Sequence, residues 1–390
     1  MEFTKTFEEL SKKDVGIAGG KGASLGEMTS AFAKATADKQ ASYNPVPPGF
    51  VVLAEAFEEF LRETDLSVEL DAILDHVRDP VPKGPANAQE HSISNVAGQA
   101  GHADIHLVNS ASEKIQALIL GASLPEAIQK EVEEAFGKLD AKYVAVRSSA
   151  TSEDSADAAW AGQLDSFLNT TEETLLENVK KCWASLFTPR AIFYRFETQP
   201  SHKATAGKRD MHHDKISVAV VVQKMIQSEV AGIAFSVHPV TQDRDQMIIE
   251  AGFGLGEAIV SGSITPDSYV VKKSVKKILD KNITVQEKGI FRATTPSQSP
   301  PHMRGRQSGG EVNAWKSIPA DEGAKPTLTD EEVLDLSELV MKIEAHYGFP
   351  VDVEWALLRQ ACLAGRQGSG GQAREGGKFY IVQSRPITTL

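Results

Sequence analysis

The sequence predicts an α+β protein with two lobes, and three observations support this prediction. The chain has 390 residues, more than one compact domain usually holds. Its apolar residues recur with helical spacing in some segments and in short strand-like runs in others. A polar, linker-like stretch at 199–215 divides a first lobe, residues 1–205, from a second lobe, residues 206–390. We therefore expect helices and strands in each lobe.

A glycine-rich segment opens the first lobe. Residues 15–22 are expected to form a strand or turn followed by a glycine loop, and Leu25, Met28 and Phe32 then recur at helical spacing. Backbone N–H groups at the start of this helix, together with Lys21, can bind an anion. The segment is not a P-loop, because it lacks the Ser or Thr that follows the lysine in that motif. The alternative is a tight turn without a ligand.

The other elements of the first lobe follow from apolar spacing and capping signals. A Ser-x-x-Glu pattern at 123–126 predicts a helix that runs to about Leu139, and a helix from Thr171 has Cys182 on its apolar side. Short apolar runs predict strands at 50–53, 143–147 and 160–168. A polar loop, residues 148–154, is expected after the second of these strands.

The second lobe begins with a near-continuous β-branched run, residues 216–225, which is typical of a buried strand. A capping box at Thr329–Glu332 predicts a helix that ends near Gly348. Further strands are expected at 232–236, 246–250, 267–272, 351–355 and 379–385. We interpret four polar stretches as loop insertions: residues 33–44, 79–112, 294–312 and 358–378.

Composition excludes several classes of protein. The 41 Lys and Arg against 53 Asp and Glu give a net charge of −12, which argues against a nucleic-acid partner. No run of roughly 18 apolar residues occurs, so no membrane span is expected. Two cysteines are too few for a disulfide framework or a cysteine-rich metal site, and the first residues lack the pattern of a secretory signal. We therefore expect a cytoplasmic protein.

The last two predicted strands offer the most informative geometry. Side chains alternate along a strand, so Asp352 and Glu354 share one face, and so do Gln383 and Arg385. If the two strands pair as a hairpin, the carboxylates of Asp352 and Glu354 come close to the amide oxygen of Gln383 and the guanidinium of Arg385. Mg²⁺ prefers oxygen ligands and arginine binds phosphate with paired hydrogen bonds, so this hairpin predicts a metal–nucleotide site. The alternative is a solvated hairpin face with an ion pair.

Other polar features remain open between a site and ordinary structure. Arg147 at a strand end is followed by two serines that could help to bind phosphate, or it is simply an exposed arginine. The glycines of residues 252–257 do not match the dinucleotide pattern, because Glu257 replaces its last glycine, and a tight turn is the preferred interpretation. The histidines form no convincing acceptor or metal cluster and are interpreted as surface residues.

Several segments together resemble the nucleotide-binding domain of the phosphoenolpyruvate synthase (pyruvate, water dikinase) and pyruvate phosphate dikinase family. They are residues 19–28, 46–50, 146–154, 161–163, 182–187, 254–257, 266–267, 352–355 and 383–388. The resemblance extends over nearly the whole chain. Rifamycin phosphotransferases share the domain, so the resemblance identifies the type of domain more specifically than it identifies the substrate. It implies an ATP-grasp fold in which two lobes close on ATP and Mg²⁺.

The resemblance also implies roles for three cations. Lys21 and Arg147 match phosphate-binding positions, and Arg385 matches a second arginine that contacts the transferred group. Positive charge at these positions would stabilise the transferred phosphoryl group. Lys21, Arg147 and Arg385 are therefore the expected catalytic residues, and all three are also expected to bind the nucleotide.

The remaining implied residues contact the nucleotide or the metal. Gly162 and Ser166 match a phosphate-contacting loop, although relatives often have Thr in place of Ser166. Gln223 lies in the strand that matches the wall of the adenine pocket. Glu354 and Gln383 match the metal ligands, which are the same residues that the hairpin geometry brings together.

Family enzymes pass phosphate from ATP to a histidine on a swivelling domain, and then to pyruvate on a further domain. Both domains follow the segment that matches 383–388, whereas this chain ends at Leu390. A separate protein is therefore expected to supply them, and the expected complete reaction converts ATP, pyruvate and water to phosphoenolpyruvate, AMP and phosphate. The alternatives are a nucleotide-binding module or fragment without turnover, and the ATP half of a rifamycin phosphotransferase or pyruvate phosphate dikinase.

Overall fold

A computed structural model describes residues 1–36, 44–78, 105–151, 165–198, 217–293, 313–359 and 377–387. The strands of this part of the chain pair antiparallel, and helices pack beside the sheets. This arrangement confirms the predicted α+β class.

The helices and strands alternate irregularly along the chain. The helices are α1 Val15–Thr36, α2 Ala54–Glu63, α3 Leu66–Arg78, α4 Ile105–Gly121, α5 Glu126–Leu139, α6 Glu172–Ala184, α7 Pro189–Thr198, α8 Glu257–Val260, α9 Ala320–Gly323 and α10 Asp330–Tyr347. The strands are β1 Thr4–Thr6, β2 Gly49–Val52, β3 Val144–Ala150, β4 Ser166–Thr170, β5 Val218–Lys224, β6 Val230–Phe235, β7 Gln246–Phe253, β8 Asp267–Lys272, β9 Lys277–Asn282, β10 Lys288–Arg292, β11 Asn313–Ser317, β12 Val351–Leu358 and β13 Lys378–Pro386.

Two large sheets organise the described residues. The first has the strand order β1-β2-β5-β3-β4 and the second has the order β13-β12-β6-β7-β8-β9, while β10 and β11 form a separate ribbon. Strand β5 follows the predicted boundary at 205/206, yet it pairs with β2 and β3 near the middle of the first sheet. The predicted boundary therefore does not separate the two sheets.

The first sheet is buried on both faces, which explains the continuous apolar run of β5. Val220 and Val222 face a core that contains Phe60 and Trp183 from helices α2 and α6. Val221 points the other way, into a second core that also contains residues of the second sheet and of helices α1 and α10. Because this second core includes side chains from both sheets, apolar packing holds the sheets against each other.

Several local predictions are confirmed. Thr329 accepts a hydrogen bond from the Glu332 N–H at 3.2 Å, and the Glu332 carboxylate accepts one from the Thr329 N–H at 2.9 Å, so the capping box forms. The helix ends at Gly348, whose φ of 77° is the left-handed conformation that glycine favours. Cys182 is fully buried, as its apolar neighbours predict.

Three local predictions are wrong. Residues 15–18 are helical rather than extended, and the glycine loop is reduced to one non-helical residue, Gly19, inside α1. Helix α5 has Pro125 rather than Ser123 at its N-cap, with no side-chain cap, because proline fixes the backbone angle suited to a helix start. Strand β3 continues through the serines of the predicted polar loop to Ala150, because β5 pairs along its whole length.

The predicted insertions are only partly described. Residues 33–36 continue helix α1, and residues 105–112 belong to helix α4, where Val108, Ala111 and Ile115 face the core, so the insertion prediction is wrong there. Leu358 and Lys378 lie in β12 and β13. The rest of these stretches, at 37–43, 79–104, 294–312 and 360–376, and the linker at 199–215 lie outside the described residues.

Asp267 joins β8 to the segment before α10. Its buried carboxylate accepts hydrogen bonds of 2.8 Å from both the N–H and the hydroxyl of Thr327, and one of 3.0 Å from the Thr284 N–H. The side-chain amide of an asparagine at this position would direct its own N–H groups toward groups that also donate hydrogen bonds, so some of these bonds would be lost. We expect Asp267→Asn to lower the free energy of unfolding by about 2 kcal/mol, whereas Asp280→Asn on exposed β9 should change it by less than about 0.5 kcal/mol. Urea unfolding of both variants measures this, and equal effects would contradict the role of Asp267.

Gly19 fixes the distance between α1 and β3. Its φ is 67°, and a Cβ atom there would lie 2.2 Å from the backbone oxygen of Ser149. Gly16, in the same helix, has open space where a Cβ atom would lie. We expect Gly19→Ala to cost more than about 2 kcal/mol of stability through strain and overlap. Gly16→Ala should be neutral or mildly stabilising. Thermal unfolding of the pair checks this, and a harmless Gly19→Ala would be inconsistent with the close contact.

Candidate functional site

The hairpin predicted from the sequence is present and forms one edge of the second sheet. In its register Glu354 lies opposite Gln383, and Asp352 lies opposite Arg385. Val353 and Trp355 face the buried core, so Asp352 and Glu354, which alternate with them along β12, face the other way. The alternation of apolar and polar residues in β12 therefore places the four polar side chains on one face of the sheet.

Arg147 reaches this face from the first sheet. One terminal nitrogen of its guanidinium, Nη2, donates to Glu354 Oε2 and to Gln383 Oε1, each at 2.8 Å. The other, Nη1, donates to the backbone oxygen of Val382 at 3.1 Å. The side chains of Arg147 and Glu354 are 13% and 14% exposed, so the pair is largely shielded from water. Three of the predicted site residues are thus in direct contact.

Two further predicted residues share the Arg147 face of the first sheet. Ser166 lies opposite Arg147 in the pairing of β3 with β4 and is exposed. Gln223 lies opposite Ala145, two positions along β3 from Arg147, and its buried amide donates to the Pro47 oxygen at 3.3 Å. Residues two apart on a strand point to the same face, so both belong to the wall that faces the hairpin. Gly162 lies outside the described residues.

Lys21 and Arg385 line a common cleft of about 200 Å³ between helix α1 and the hairpin. Its walls include Ser24 and Tyr347, and Ser24 donates to the backbone oxygen of Ser384 at 2.8 Å. This contact ties α1 to β13 beside the cleft. The structure therefore brings Lys21 and Arg385 to one cleft, and Arg385 lies two residues along β13 from Gln383 of the cluster formed by Arg147, Glu354 and Gln383.

The glycine-rich segment meets the Arg-Ser-Ser segment directly. The Ser149 hydroxyl donates to the Ala18 oxygen at 2.9 Å and accepts from the Gly22 N–H at 3.2 Å. The Gly22 N–H therefore has a protein partner, which weakens the interpretation of this segment as an open anion cradle. The glycines instead let the backbone of α1 approach β3, as the contact at Gly19 also shows.

Charge and burial act together on Asp352. Burial raises the pKa of this carboxyl above its usual range, and the negative charge of Glu354 raises it further, while Arg385 at 3.4 Å opposes both effects. One of its oxygens, Oδ1, is buried and has no hydrogen-bond partner among the described residues. The hairpin face thus carries an acceptor that the protein itself leaves unsatisfied.

The donor set of the hairpin fits a magnesium ion. Glu354 and Gln383 present two oxygens to one nitrogen of Arg147, so these oxygens lie close together. Mg²⁺ is usually bound through one or two protein oxygens together with water and phosphate oxygens. Within the described ranges, no group of three or more His, Cys, Asp or Glu side chains could hold a metal ion. The arrangement is therefore suited to a metal that arrives with a phosphate ligand, and not to a metal enclosed by protein ligands alone.

The structure adds features that sequence reasoning missed. The register of the hairpin shifts between Glu354 and Trp355, so Val382 has no direct partner and its oxygen is available to Arg147; no side-chain pattern signals this. Glu250 lies in the same cross-strand row as Ile233 and Glu354, and burial raises its pKa. A lone acid in the apolar strand β7 is the signal that could have identified it.

The second glycine segment is a structural turn, as the sequence favours. Gly254 has a φ of 88°, and a Cβ atom there would lie 2.2 Å from the Ile290 oxygen. The Leu255 N–H donates to the same oxygen at 2.8 Å. The turn therefore fixes β7 against β10.

No helix in the described part of the chain is both long and apolar enough to cross a membrane.

Comparison with known proteins extends over the whole site. Residues 15–390 match the family described as pyruvate phosphate dikinase, AMP/ATP-binding domain. The chain is 37% identical over its full length to a phosphoenolpyruvate synthase of Pyrococcus furiosus, of which it covers 44%. It is 38% identical to a probable phosphoenolpyruvate synthase of Methanocaldococcus jannaschii, of which it covers 27%. Over 98% of the chain it is 32% identical to a rifampicin phosphotransferase of Bacillus subtilis, of which it covers 35%.

The chain thus spans less than half the length of each of these relatives. The family match begins at the start of helix α1 and includes every strand of the two sheets except β1, together with the Arg147 contacts and the hairpin. This chain belongs to the pyruvate phosphate dikinase AMP/ATP-binding domain family.

Proposed function

We propose that this chain binds Mg-ATP between its two sheets and donates a phosphoryl group, as the ATP-binding part of a phosphoenolpyruvate synthase-like dikinase. The observation that carries the proposal is the contact of Arg147 with Glu354 and Gln383, because it joins a cation suited to phosphate to two oxygens suited to a metal across the two sheets. The relatives named phosphoenolpyruvate synthase support the reaction class. The complete reaction would convert ATP, pyruvate and water to phosphoenolpyruvate, AMP and phosphate.

The proposed fold is an ATP-grasp with two lobes that close on the nucleotide. The first lobe would contain the five-stranded sheet with helices α2 to α6, and the second would contain the six-stranded sheet with α10. Because β5 belongs to the first sheet, we place the boundary after Lys224, between β5 and β6, instead of at 205. The adenine ring would lie near Gln223 at the end of β5, where the chain crosses from one sheet to the other.

Lys21, Arg147 and Arg385 would hold the phosphates. Lys21 and Arg385 line one cleft, and Arg147 contacts the hairpin face that also carries Arg385. Cations fixed in this way stabilise the negative charge of the phosphoryl group as it moves, and they need little reorganisation during the reaction. Ser166, beside Arg147, and Gly162 would contact the phosphates from the first lobe.

Glu354 and Gln383 would hold Mg²⁺, which would neutralise phosphate charge when bound. Gln383 is almost fully buried, so its amide oxygen is held in one place. Asp352 would accept a hydrogen bond from Arg385 and keep that guanidinium directed along the hairpin face.

The phosphoryl acceptor would be a histidine on a swivelling domain, and pyruvate would bind to a further domain. The relatives are more than twice as long as the matched region, which leaves room for both domains there. We place the chain in the cytoplasm. The similarity to a rifampicin phosphotransferase supports a second candidate, the ATP-binding part of an enzyme that modifies such a drug. A nucleotide-binding module without turnover is the alternative of a different class.

Nucleotide binding is tested by thermal stabilisation. A ligand at 100 times its dissociation constant stabilises the folded chain by about 2.7 kcal/mol, so Mg-ATP should raise the melting temperature of the unmodified chain. Lys21→Ala and Glu354→Ala should abolish most of this increase, because each removes a proposed phosphate or metal contact. Lys13→Ala and Glu331→Ala change exposed residues of the same types and are the controls. Full stabilisation of both site variants would contradict the assignment of the site.

Phosphoryl donation is tested with Mg-ATP and a separately produced swivelling domain that carries the acceptor histidine. We expect AMP, phosphate and phosphohistidine to form together with consumption of one water, because one of the two phosphates lost from ATP stays on the histidine and the other is released. Arg385→Ala should lower the rate by about 100-fold, because one preorganised charge contact to the transferred group is lost, whereas Arg62→Ala, at an exposed surface pair, should leave it unchanged.

The acceptor then separates the candidates. Pyruvate or rifampicin is added to the chain, Mg-ATP, the swivelling domain and the further domain that binds the acceptor. Phosphoenolpyruvate as the product supports the dikinase, and phosphorylated rifampicin supports the drug phosphotransferase. Nucleotide binding without AMP or phosphohistidine would support the module without turnover.

A further inference from the structure

The hydrogen bonds that the structure shows for the Arg147 guanidinium all end on the hairpin. Its acceptors are the Glu354 carboxylate, the Gln383 amide oxygen and the Val382 backbone oxygen, at 2.8, 2.8 and 3.1 Å. The first two are the oxygens that we propose as metal ligands. An internal cation therefore contacts the same two oxygens that a metal ion would bind.

The guanidinium and a metal ion would compete for these two oxygens. Mg²⁺ would lie about 2.0–2.1 Å from Glu354 and Gln383, and Arg147 Nη2 now lies 2.8 Å from both. Two positive groups at such a short separation repel each other strongly in a site that is shielded from water. Gln383 is only 2% exposed, so its oxygen has little freedom to turn toward a second partner. A metal ion bound between Glu354 Oε2 and Gln383 Oε1 would therefore displace Arg147 Nη2 from them.

We propose that Arg147 is an internal counter-ion of the metal site: it competes with a divalent cation for the oxygens of Glu354 and Gln383 and releases them only when a nucleotide phosphate accepts hydrogen bonds from its guanidinium. This inference rests on the proposed function, because it takes Glu354 and Gln383 as the metal ligands. Metal and nucleotide then bind with positive coupling. A metal ion alone must displace Arg147 without offering it a new acceptor, whereas the metal–nucleotide complex offers both.

The coupling is reciprocal, because linkage requires that the nucleotide raises metal affinity by the factor by which the metal raises nucleotide affinity. Removal of Arg147 should therefore have two separate effects on metal binding. The empty chain should bind a divalent cation more tightly, and the dependence of metal binding on nucleotide should decrease. A residue that only bound phosphate would give the second effect without the first.

A general change in local charge could imitate the first effect, and Arg385 provides the control. It carries the same charge on the same hairpin face, but it contacts Asp352 at 3.4 Å and not Glu354 or Gln383. Arg385→Met removes a positive charge without vacating the two oxygens. A direct exclusion therefore predicts a much larger increase in metal affinity for Arg147→Met than for Arg385→Met.

The experiment measures binding of Mn²⁺, used as the probe for Mg²⁺, by the electron paramagnetic resonance signal of the free ion. In the absence of nucleotide, Arg147→Met should bind Mn²⁺ about tenfold or more tightly than the unmodified chain, within the usual range of coupling between sites. Arg385→Met should change the affinity by less than about threefold. Arg147→Lys, which keeps the charge but has no planar fork, should show a smaller increase and serves if the Met variant does not fold.

The outcomes separate this inference from the proposed function. Tighter Mn²⁺ binding by Arg147→Met that is lost in the double variant with Glu354→Gln supports exclusion at the proposed ligands. Unchanged Mn²⁺ affinity in both Arg147 variants, with Mn-ATP binding still dependent on Glu354, overturns the exclusion and leaves the metal site intact. If Glu354→Gln leaves the affinity for Mn-ATP unchanged, Glu354 is not a metal ligand and the proposed metal site itself is overturned. Equal increases in Arg147→Met and Arg385→Met reduce the effect to general electrostatics and also overturn the inference.

Discussion

The candidate site depends on the hydrogen bonds that the guanidinium of Arg147 makes with the hairpin. This side chain extends from β3 in the first sheet to three acceptors on the hairpin of the second sheet. A partly buried charge with several partners holds its geometry well, because withdrawal of any one partner leaves a polar group unsatisfied away from water. The contact thereby fixes the position of the two proposed metal ligands relative to the opposite wall. A small change in the register of β12 with β13 would remove one or more of its acceptors.

The apolar core brings Arg147 into reach of the hairpin. Val221, which lies opposite Arg147 in the pairing of β3 with β5, belongs to the same buried cluster as Val353 of the hairpin. The two sheets are therefore pressed together next to the site by packing that needs no polar contact. Ser149 adds a hydrogen-bonded clamp between β3 and α1 at Gly22. The site lies at the border of this shared core, where burial strengthens electrostatic interactions.

The sequence predicted the parts of the site that depend on local pattern. Period-two alternation in β12 and β13 predicted which polar residues share a face if the strands pair, whereas the pairing of Glu354 with Gln383 is a feature of the observed register. The capping box at Thr329 was equally local. The domain boundary depended on a non-local pairing: β5 follows the linker-like stretch but pairs with β2 and β3, and nothing in its composition specifies those partners. The bonds of Arg147 also required the packing of two sheets, which no single segment encodes.

The arrangement of charge also explains how an acidic chain can bind a polyanion. Each arginine of the hairpin face lies against an acid, Arg147 against Glu354 and Arg385 against Asp352. A free nucleotide would bring phosphate next to those acids, whereas a metal–nucleotide complex brings a cation and an anion together. It can exchange partners with both ion pairs without leaving a like-charge contact. The net charge of −12 matters less, because exposed charges are screened beyond about 8–10 Å at physiological salt. In the proposed site, the pairing of charges on the hairpin face would therefore favour the metal-complexed nucleotide over the free nucleotide.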